Sequence, residues 1–415
     1  MQLNDLPSPR LLEISGRCVA CGLCLPHCPT YRKTQSEADS PRGRIMLMRG
    51  VLERRIPANA RFFQHIDACL TCRACERACP NGVAYGALVD GVRAEFAGLR
   101  GGAERMGGGG LTHPSPSGRG GRGEGAAWGK RLRRSLLMRA LTRPALLARL
   151  APLLRLARRL GARALPEVSR THPWKEVYSA QGVARGGVAL FLGCVARLTD
   201  AATLDAAIHV LSQLGYTVRV PRTQTCCGAL HRHEGDAATA RRLETANLAA
   251  FAGADAVISC VSGCGAQLAD RGRVPVQDIS AFLDTASGWE NVTIAPLPQA
   301  VAVHDPCTLR NVQRAAAAPY RLLQRIPQLR IEALPGNDQC CGAAGTYFLD
   351  QPGMARALRD DKMAALRICG AKYLATSNVG CAMYLADGLR AEGIEIEVLH
   401  PVVLLARQMG YEGNA

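Results

Sequence analysis

The 415-residue chain is poor in aromatic residues, which make up 5% of it. It also lacks any long apolar run. The longest, Val188–Ala196, has a glycine inside and is far short of the ~20 residues that a membrane-spanning helix needs. The opening residues, MQLNDLPSPRLLE, contain no apolar stretch of the signal-peptide kind, so no secretory signal is expected. No G-x-G-x-x-G follows a predicted strand and no G-x4-G-K-[ST] occurs, so neither flavin nor NAD is expected in this chain. Acidic residues are outnumbered, 34 against 51 Lys and Arg, for a formal charge of +17. That excess is local: residues 100–165 hold 15 Lys/Arg, 2 Asp/Glu and a single aromatic, Trp128. A nucleic-acid-binding face would spread its charge and interleave aromatics, so no nucleic acid partner is expected.

What the chain does have is 18 cysteines, and they are clustered. With no secretory signal they are expected to stay reduced in the cytoplasm, which points to metal or redox chemistry rather than disulfides. Composition divides the chain into four segments. Residues 1–98 hold eight Cys; residues 99–182 form a Gly/Arg-rich insert and a basic helical linker; residues 183–295 and 296–415 look like two copies of one unit. Within the linker, the Gly-rich stretch 101–126 cannot bury a core and is expected to lack ordered structure. Residues 130–163 read as helical. Leu146, Leu150, Leu153, Leu154, Ala157 and Leu160 share one face, with Arg155, Arg158 and Arg159 opposite, and Pro152 is expected to kink or split the helix.

Residues 18–29 read CVACGLCLPHCP and residues 69–80 read CLTCRACERACP. Both are C-x2-C-x2-C-x3-C-P, the run of bacterial two-cluster ferredoxins. Two-residue gaps wrap a tight turn around one iron–sulfur cube, and the fourth Cys is carried past the turn to the neighbouring cube. The expected ligands are Cys18, Cys21, Cys24 and Cys79 for the first [4Fe–4S] cluster, and Cys69, Cys72, Cys75 and Cys28 for the second. Zinc sites take four ligands in C-x2-C pairs and fit two identical four-Cys runs, each ending in Cys-Pro, poorly.

Beyond residue 183 the chain repeats itself. GVALFLGC, TVRV, CCG and AVISCVSGC are followed by VAVHDPC, LRIEAL, CCG and YLATSNVGC, with helices between. Cys194 to Cys307 spans 113 residues, Cys226 to Cys340 spans 114 and Cys264 to Cys381 spans 117. This is an internal duplication of an α/β unit with mainly parallel strands. The expected fold is therefore a mixed α+β and α/β multidomain chain: a helical two-[4Fe–4S] ferredoxin domain, then two repeated α/β CCG domains. Neighbouring thiols before a glycine, joined by cysteines at strand ends, suggest a soft-metal site in each repeat. The candidates are Cys194, Cys226, Cys227, Cys260 and Cys264 in the first, and Cys307, Cys340, Cys341 and Cys381 in the second. Ser377 stands where the first repeat has Cys260. An iron–sulfur cluster, zinc and no metal all remain open for these sites. Cys369 reads as a core thiol. His231 and His233, near these cysteines, read equally as proton or sulfur partners and as ordinary loop histidines, and His304 reads rather as the ordinary kind.

The order of two ferredoxin runs, a linker and two CCG repeats resembles the glycolate oxidase iron–sulfur subunits and their relatives in lactate utilisation, anaerobic glycerol-3-phosphate dehydrogenase and heterodisulfide reductase. The resemblance is carried by PRGRIMLMRGVLE (41–53), CLTCRACERACPNGVAY (69–85), SGCGA (262–266), CCGAAGTYFLD (340–350), LRDDKMAAL (358–366) and SNVGC (377–381). Residues 106–126 depart from it and look like an insertion. The resemblance implies an electron-transfer subunit that is not catalytic alone. Flavin-binding partner subunits would oxidise glycolate to glyoxylate, and electrons would pass toward the membrane quinone pool, with the protein peripheral on the cytoplasmic face of the inner membrane. Lactate or another 2-hydroxy acid as substrate, and a heterodisulfide-reductase-type catalytic subunit, are the alternatives.

Overall fold

The computed structural model describes residues 8–99, 138–140, 142, 144–160, 168–169, 173–270 and 275–413. The Gly-rich stretch 101–126 lies outside these. The chain divides into two compact units: Met1–Ala140 with the returning segments Leu230–Ala240 and Ala344–Ala357, and Leu141–Ala229 with Arg241–Ala343 and Leu358–Ala415.

The first unit is helical. Its longer helices are Ser8–Gly16, Pro41–Leu52, Ala60–Asp67 and Tyr85–Glu95. Leu11, Ile14, Ile45, Met48, Phe62, Ile66, Leu88 and Val92 form the core between them. Capping sets where these helices begin: Ser40 Oγ accepts from the Gly43 N–H at 2.9 Å, and Asn59 Oδ1 from the Phe62 N–H at 3.0 Å. Pro29, the proline after the first cysteine run, opens the helix Pro29–Thr34, where its missing N–H costs nothing. Gly43 has a close-approach role, since a Cβ there would lie 1.9 Å from the Glu37 carbonyl oxygen. The two returning segments follow the two CCG motifs in the chain. In this unit the Tyr347 hydroxyl donates to the Ala68 carbonyl (3.0 Å), His233 Nδ1 lies 3.1 Å from Asp90 Oδ1, and the Thr346 hydroxyl donates to Glu234 (2.9 Å).

The second unit holds two sheets. β1 (Val177–Tyr178), β2 (Gly186–Phe191), β3 (Tyr216–Arg219), β4 (Val257–Ser259) and β5 (Val276–Asp278) lie in the order β1-β3-β2-β4-β5. All pairings there are parallel except β1 with β3. β6 (Ala300–His304), β7 (Arg330–Ala333), β8 (Tyr373–Thr376) and β9 (Glu397–Leu399) form the order β7-β6-β8-β9, parallel throughout. The central strands β2 and β6 carry the unbroken apolar runs VALF and AVAV, as expected where both faces are covered. β1 lies in the stretch assigned to the linker by composition. One core spans both repeats: Leu204, Ile208 and Leu211 pack in the same cluster as Val301, Leu322, Val402 and Leu405.

The basic helix runs from Pro144 to Arg159 without a break at Pro152. Leu153, Leu156 and Leu160 point outward, 62%, 53% and 79% exposed, while Ala151 is buried. At 100° per residue the three leucines fall within about 60° of one another.

Candidate iron–sulfur and thiolate centres

The two ferredoxin runs curl in the same way. Ala20 and Gly22 in the first loop have φ of 56° and 85°, and Thr71 and Arg73, at the equivalent places in the second, have 53° and 56°. Left-handed residues are seldom non-glycine, and three of these four are. The turn they make is tight enough to leave a cavity at each loop. Cys18, Cys21, Cys24 and Cys79 all line one cavity; Cys28, Cys69, Cys72 and Cys75 all line the other. The second therefore takes three cysteines from its own run and Cys28 from the first, while the first takes three from its own run with both Cys75 and Cys79 of the other. Pro41, Cys75 and Tyr85 line both, so the cavities adjoin. Neither is lined by His, Asp or Glu, and four soft sulfur donors are the donor set of an iron–sulfur cube. Burial pushes the Cys24 thiol up to about 11 and the Cys75 thiol well above its ordinary value. Thiols so placed ionise only when a bound cation compensates the charge.

The PRGR segment that opens the helix Pro41–Leu52 sends one arginine to each loop. Arg42 Nη1 donates to the Ala20 carbonyl at 3.1 Å and is held by Glu37. Arg44 is 1% exposed and lies at the second cavity. Its Nη1 is 2.9 Å from Thr30 Oγ1 and 4.0 Å from Cys28 Sγ; Nε donates to the His65 carbonyl (2.7 Å) and Nη2 to Asp39 (3.3 Å). Cys69 Sγ faces the Thr71 N–H at 3.4 Å and the Tyr85 hydroxyl at 3.6 Å. Sequence reasoning missed Arg44 and Tyr85; the only signal for Arg44 was an arginine two residues after another in the PRGR segment.

The CCG cysteines gather at the carboxyl edge of each sheet. Cys194 follows β2, Cys226 and Cys227 follow β3, and Cys264 sits in the first turn of the helix Ser262–Ala269 after β4. Cys194 Sγ is 3.4 Å from Cys226 Sγ, and Cys227 Sγ is 3.2 Å from Cys264 Sγ. The second repeat makes the same pairs, Cys307 with Cys340 and Cys341 with Cys381. Contact with the partner thiol and burial push Cys194 and Cys307 well above the ordinary thiol range. Gly228 and Gly342 have φ of 83° and 91°, which turns each N–H back onto the first thiol of its motif at 3.5 Å. An amide clamps each CCG loop to the central strand. Gln224 accepts from the Leu192 N–H (2.7 Å) and donates to the Leu190 carbonyl (3.1 Å). Asn337 does the same with the Asp305 N–H (3.1 Å) and the Val303 carbonyl (2.7 Å). These clamps were also missed, because neither residue has a periodic or motif signature.

Cys260 is buried at the end of β4. Burial and the carboxyls of Asp278 and Asp200 act on its thiol, whereas the four others act on each other. Its counterpart Ser377 is buried, and its hydroxyl makes no hydrogen bond. The two repeats thus gather the same four thiols each, and the expected five-against-four asymmetry does not arise among the paired sulfurs. His231 and His233 face Asp236 and Asp90, and His304 Nδ1 lies 2.9 Å from Thr376 Oγ1. Cys369 packs against the core around Leu366 and Leu374. Among the described residues, no three His, Cys, Asp or Glu side chains are gathered tightly enough to grip a single ion.

The SGCGA segment joins the two repeats. Ser262 Oγ meets Thr308 Oγ1 (2.8 Å) and accepts from Asn378 Nδ2 (3.0 Å), while Gln313 donates to the Ser262 carbonyl (2.7 Å). A Cβ on Gly265 would lie 2.6 Å from Gln313 Nε2 and would push that amide off the Ser262 carbonyl.

The profile of the 4Fe-4S dicluster domain matches residues 14–83, and that of the cysteine-rich domain matches residues 188–269 and 301–386. The probable glycolate oxidase iron-sulfur subunit of Bacillus subtilis (strain 168) is 31% identical over 95% of this chain and 94% of its own length. The glycolate oxidase iron-sulfur subunit of Escherichia coli (strain K12) is 31% identical over 91% of each chain. Lactate utilization protein A of Bacillus velezensis is 27% identical over 51% of this chain and 96% of its own length.

Proposed function

Because the chain belongs to the family of glycolate oxidase iron–sulfur subunits, we propose that it is the electron-transfer subunit of a flavin-containing complex that oxidises glycolate to glyoxylate and sends the electrons toward the quinone pool. The carrying observation is the pair of adjoining cavities, both lined by cysteines drawn from both runs, five at the first with Cys75 shared and four at the second. Cys18, Cys21, Cys24 and Cys79 would hold one [4Fe–4S] cluster, and Cys69, Cys72, Cys75 and Cys28 the other. Bound there, such clusters supply one-electron relay chemistry. Four protein thiolates at each cavity leave no corner for a substrate, so dehydrogenation belongs to a flavin-bearing partner. Cys194, Cys226, Cys227 and Cys264, with Cys307, Cys340, Cys341 and Cys381, are proposed to hold a further iron–sulfur cluster or zinc in each repeat.

Cys24→Ala and Cys75→Ala test the relay. Each should abolish glycolate-dependent quinone reduction while a single turnover of glycolate still bleaches the partner flavin. Loss of the bleach in an intact complex would sink the relay reading. Lactate in place of glycolate is the second reading, favoured by the match to Lactate utilization protein A over half the chain. The 2-hydroxy acid that bleaches the co-purifying flavoprotein decides between them.

No helix among the described residues is long and apolar enough to cross a membrane. We place the protein peripherally, on the cytoplasmic face of the inner membrane. Leu153, Leu156 and Leu160 form an outward apolar stripe, with Arg155 and Arg158 on the same helix to meet anionic headgroups. Replacing the three leucines with serine should release the protein from anionic vesicles in a sedimentation assay; unchanged recovery would remove the membrane role.

A further inference from the structure

We infer that Arg44 and Tyr85 hold up the reduction potential of the cluster bound by Cys28, Cys69, Cys72 and Cys75, offsetting the burial that would otherwise make that cluster hard to reduce. This rests on the ligand sets proposed above. An added electron places more negative charge on a cluster and its thiolates. Removing solvent from around it disfavours that charge, while donors and cations aimed at the sulfurs favour it.

The two cavities differ in how they meet this demand. At the first, Cys21 is exposed, so water itself can stabilise the added charge. Arg42 there is one-third exposed, spends Nη1 on a carbonyl and is neutralised by Glu37 at 2.6 Å. At the second, Cys28 is buried and the charge comes from within the protein. Arg44 and Asp39, each 1% exposed, form an ion pair through Nη2, and Nη1 of the same guanidinium is the end nearest Cys28 Sγ. The pair is thus an oriented dipole with its positive end toward the sulfur. The Tyr85 hydroxyl aims at Cys69 Sγ from another side. Arg44 and Tyr85 are positioning residues: they reach the cluster through its ligands.

The test is an EPR-monitored redox titration of the full, anaerobically purified chain, with iron counted in every sample. Tyr85→Phe should lower one midpoint only, cutting the reduced-to-oxidised ratio at fixed poise severalfold. Arg44→Gln alone would leave the buried Asp39 without its guanidinium, though still 3.0 Å from His65 Nδ1, so the paired variant D39N/R44Q removes both charges together. It should lower the same midpoint by about tenfold in that ratio, the weight of one charge-assisted hydrogen bond. Arg42→Gln should leave this midpoint in place. Unchanged midpoints in Tyr85→Phe and D39N/R44Q, with about eight irons retained, would overturn the inference while leaving the ligand sets standing. A shift of both midpoints together would also overturn it. If D39N/R44Q loses iron, Tyr85→Phe decides alone. Wild-type protein with fewer than about four irons would instead fail the ligand reading.

Discussion

The amino-terminal and carboxyl-terminal cysteine sites are both products of repetition, yet they are closed in opposite ways. In the ferredoxin unit the runs reach across to each other: Cys28 lines the cavity of the second run, and Cys79, with Cys75, lines that of the first. In the CCG repeats nothing is lent. Each sheet gathers its four thiols from the ends of its own strands, paired in the same way twice over. The difference follows from what surrounds the thiols. A short loop with short helices behind it can point three sulfurs inward but has no second element from which to bring a fourth. A parallel sheet offers three loop ends along one edge and can complete a site unaided. Crossing would make each amino-terminal centre depend on both runs, whereas each carboxyl-terminal centre would depend on its own repeat alone.

The sharpest break of that comparison is Cys79→Ala. Although Cys79 belongs to the second run, its loss should remove the cluster of Cys18, Cys21 and Cys24, with a fall of about four irons per chain and loss of one EPR signal. Loss of the cluster at Cys69, Cys72 and Cys75 instead would show that the runs do not cross. Next comes Cys226→Ser against Cys340→Ser. Each should empty the metal site of its own repeat and spare the other, so that metal analysis of the double variant gives the sum of the singles. Any non-additive loss would show that these sites also depend on each other. Gly43→Ala forces a methyl group against the Glu37 carbonyl beside both ferredoxin loops. It should lower stability by about 2–3 kcal/mol in urea unfolding, with no change expected in metal at the CCG sites. The smallest effect is expected for Cys260→Ser, which copies Ser377. It should leave the first repeat's metal content intact and cost about 1 kcal/mol, because a buried thiol becomes a hydroxyl with no new partner. A full loss of metal would return Cys260 to the ligand set.

The eight ferredoxin cysteines were legible because their spacing encodes the turn itself: two-residue gaps admit few other geometries. The duplication was legible from three cysteine landmarks at nearly constant offset, and with it the parallel sheets. Cys260 shows where such reasoning stops. Its place in the repeat matches Ser377, but spacing records nothing of the Asp278 and Asp200 carboxyls that act on its thiol. β1, two residues long, is too short for any pattern to register. The attachment of residues 230–240 and 344–357 to the ferredoxin unit depends on single contacts such as Tyr347 to the Ala68 carbonyl, which have no sequence signature. Pro152 is a different case: the expected break is absent because a proline on the exposed side of a helix can leave one carbonyl to water.

The left-handed residues of the two ferredoxin loops bear on how the protein ages. Ala20, Thr71 and Arg73 each hold a backbone shape that side chains disfavour by roughly 1–2 kcal/mol, a cost that a cluster gripping the neighbouring sulfurs would offset. Once oxygen strips the iron, these segments have reason to relax and expose their peptide bonds. A damaged copy would then advertise itself to proteases at Cys18–Cys24 and Cys69–Cys75, while intact copies beside it remain resistant. Turnover would in this way be selective for molecules that can no longer carry electrons.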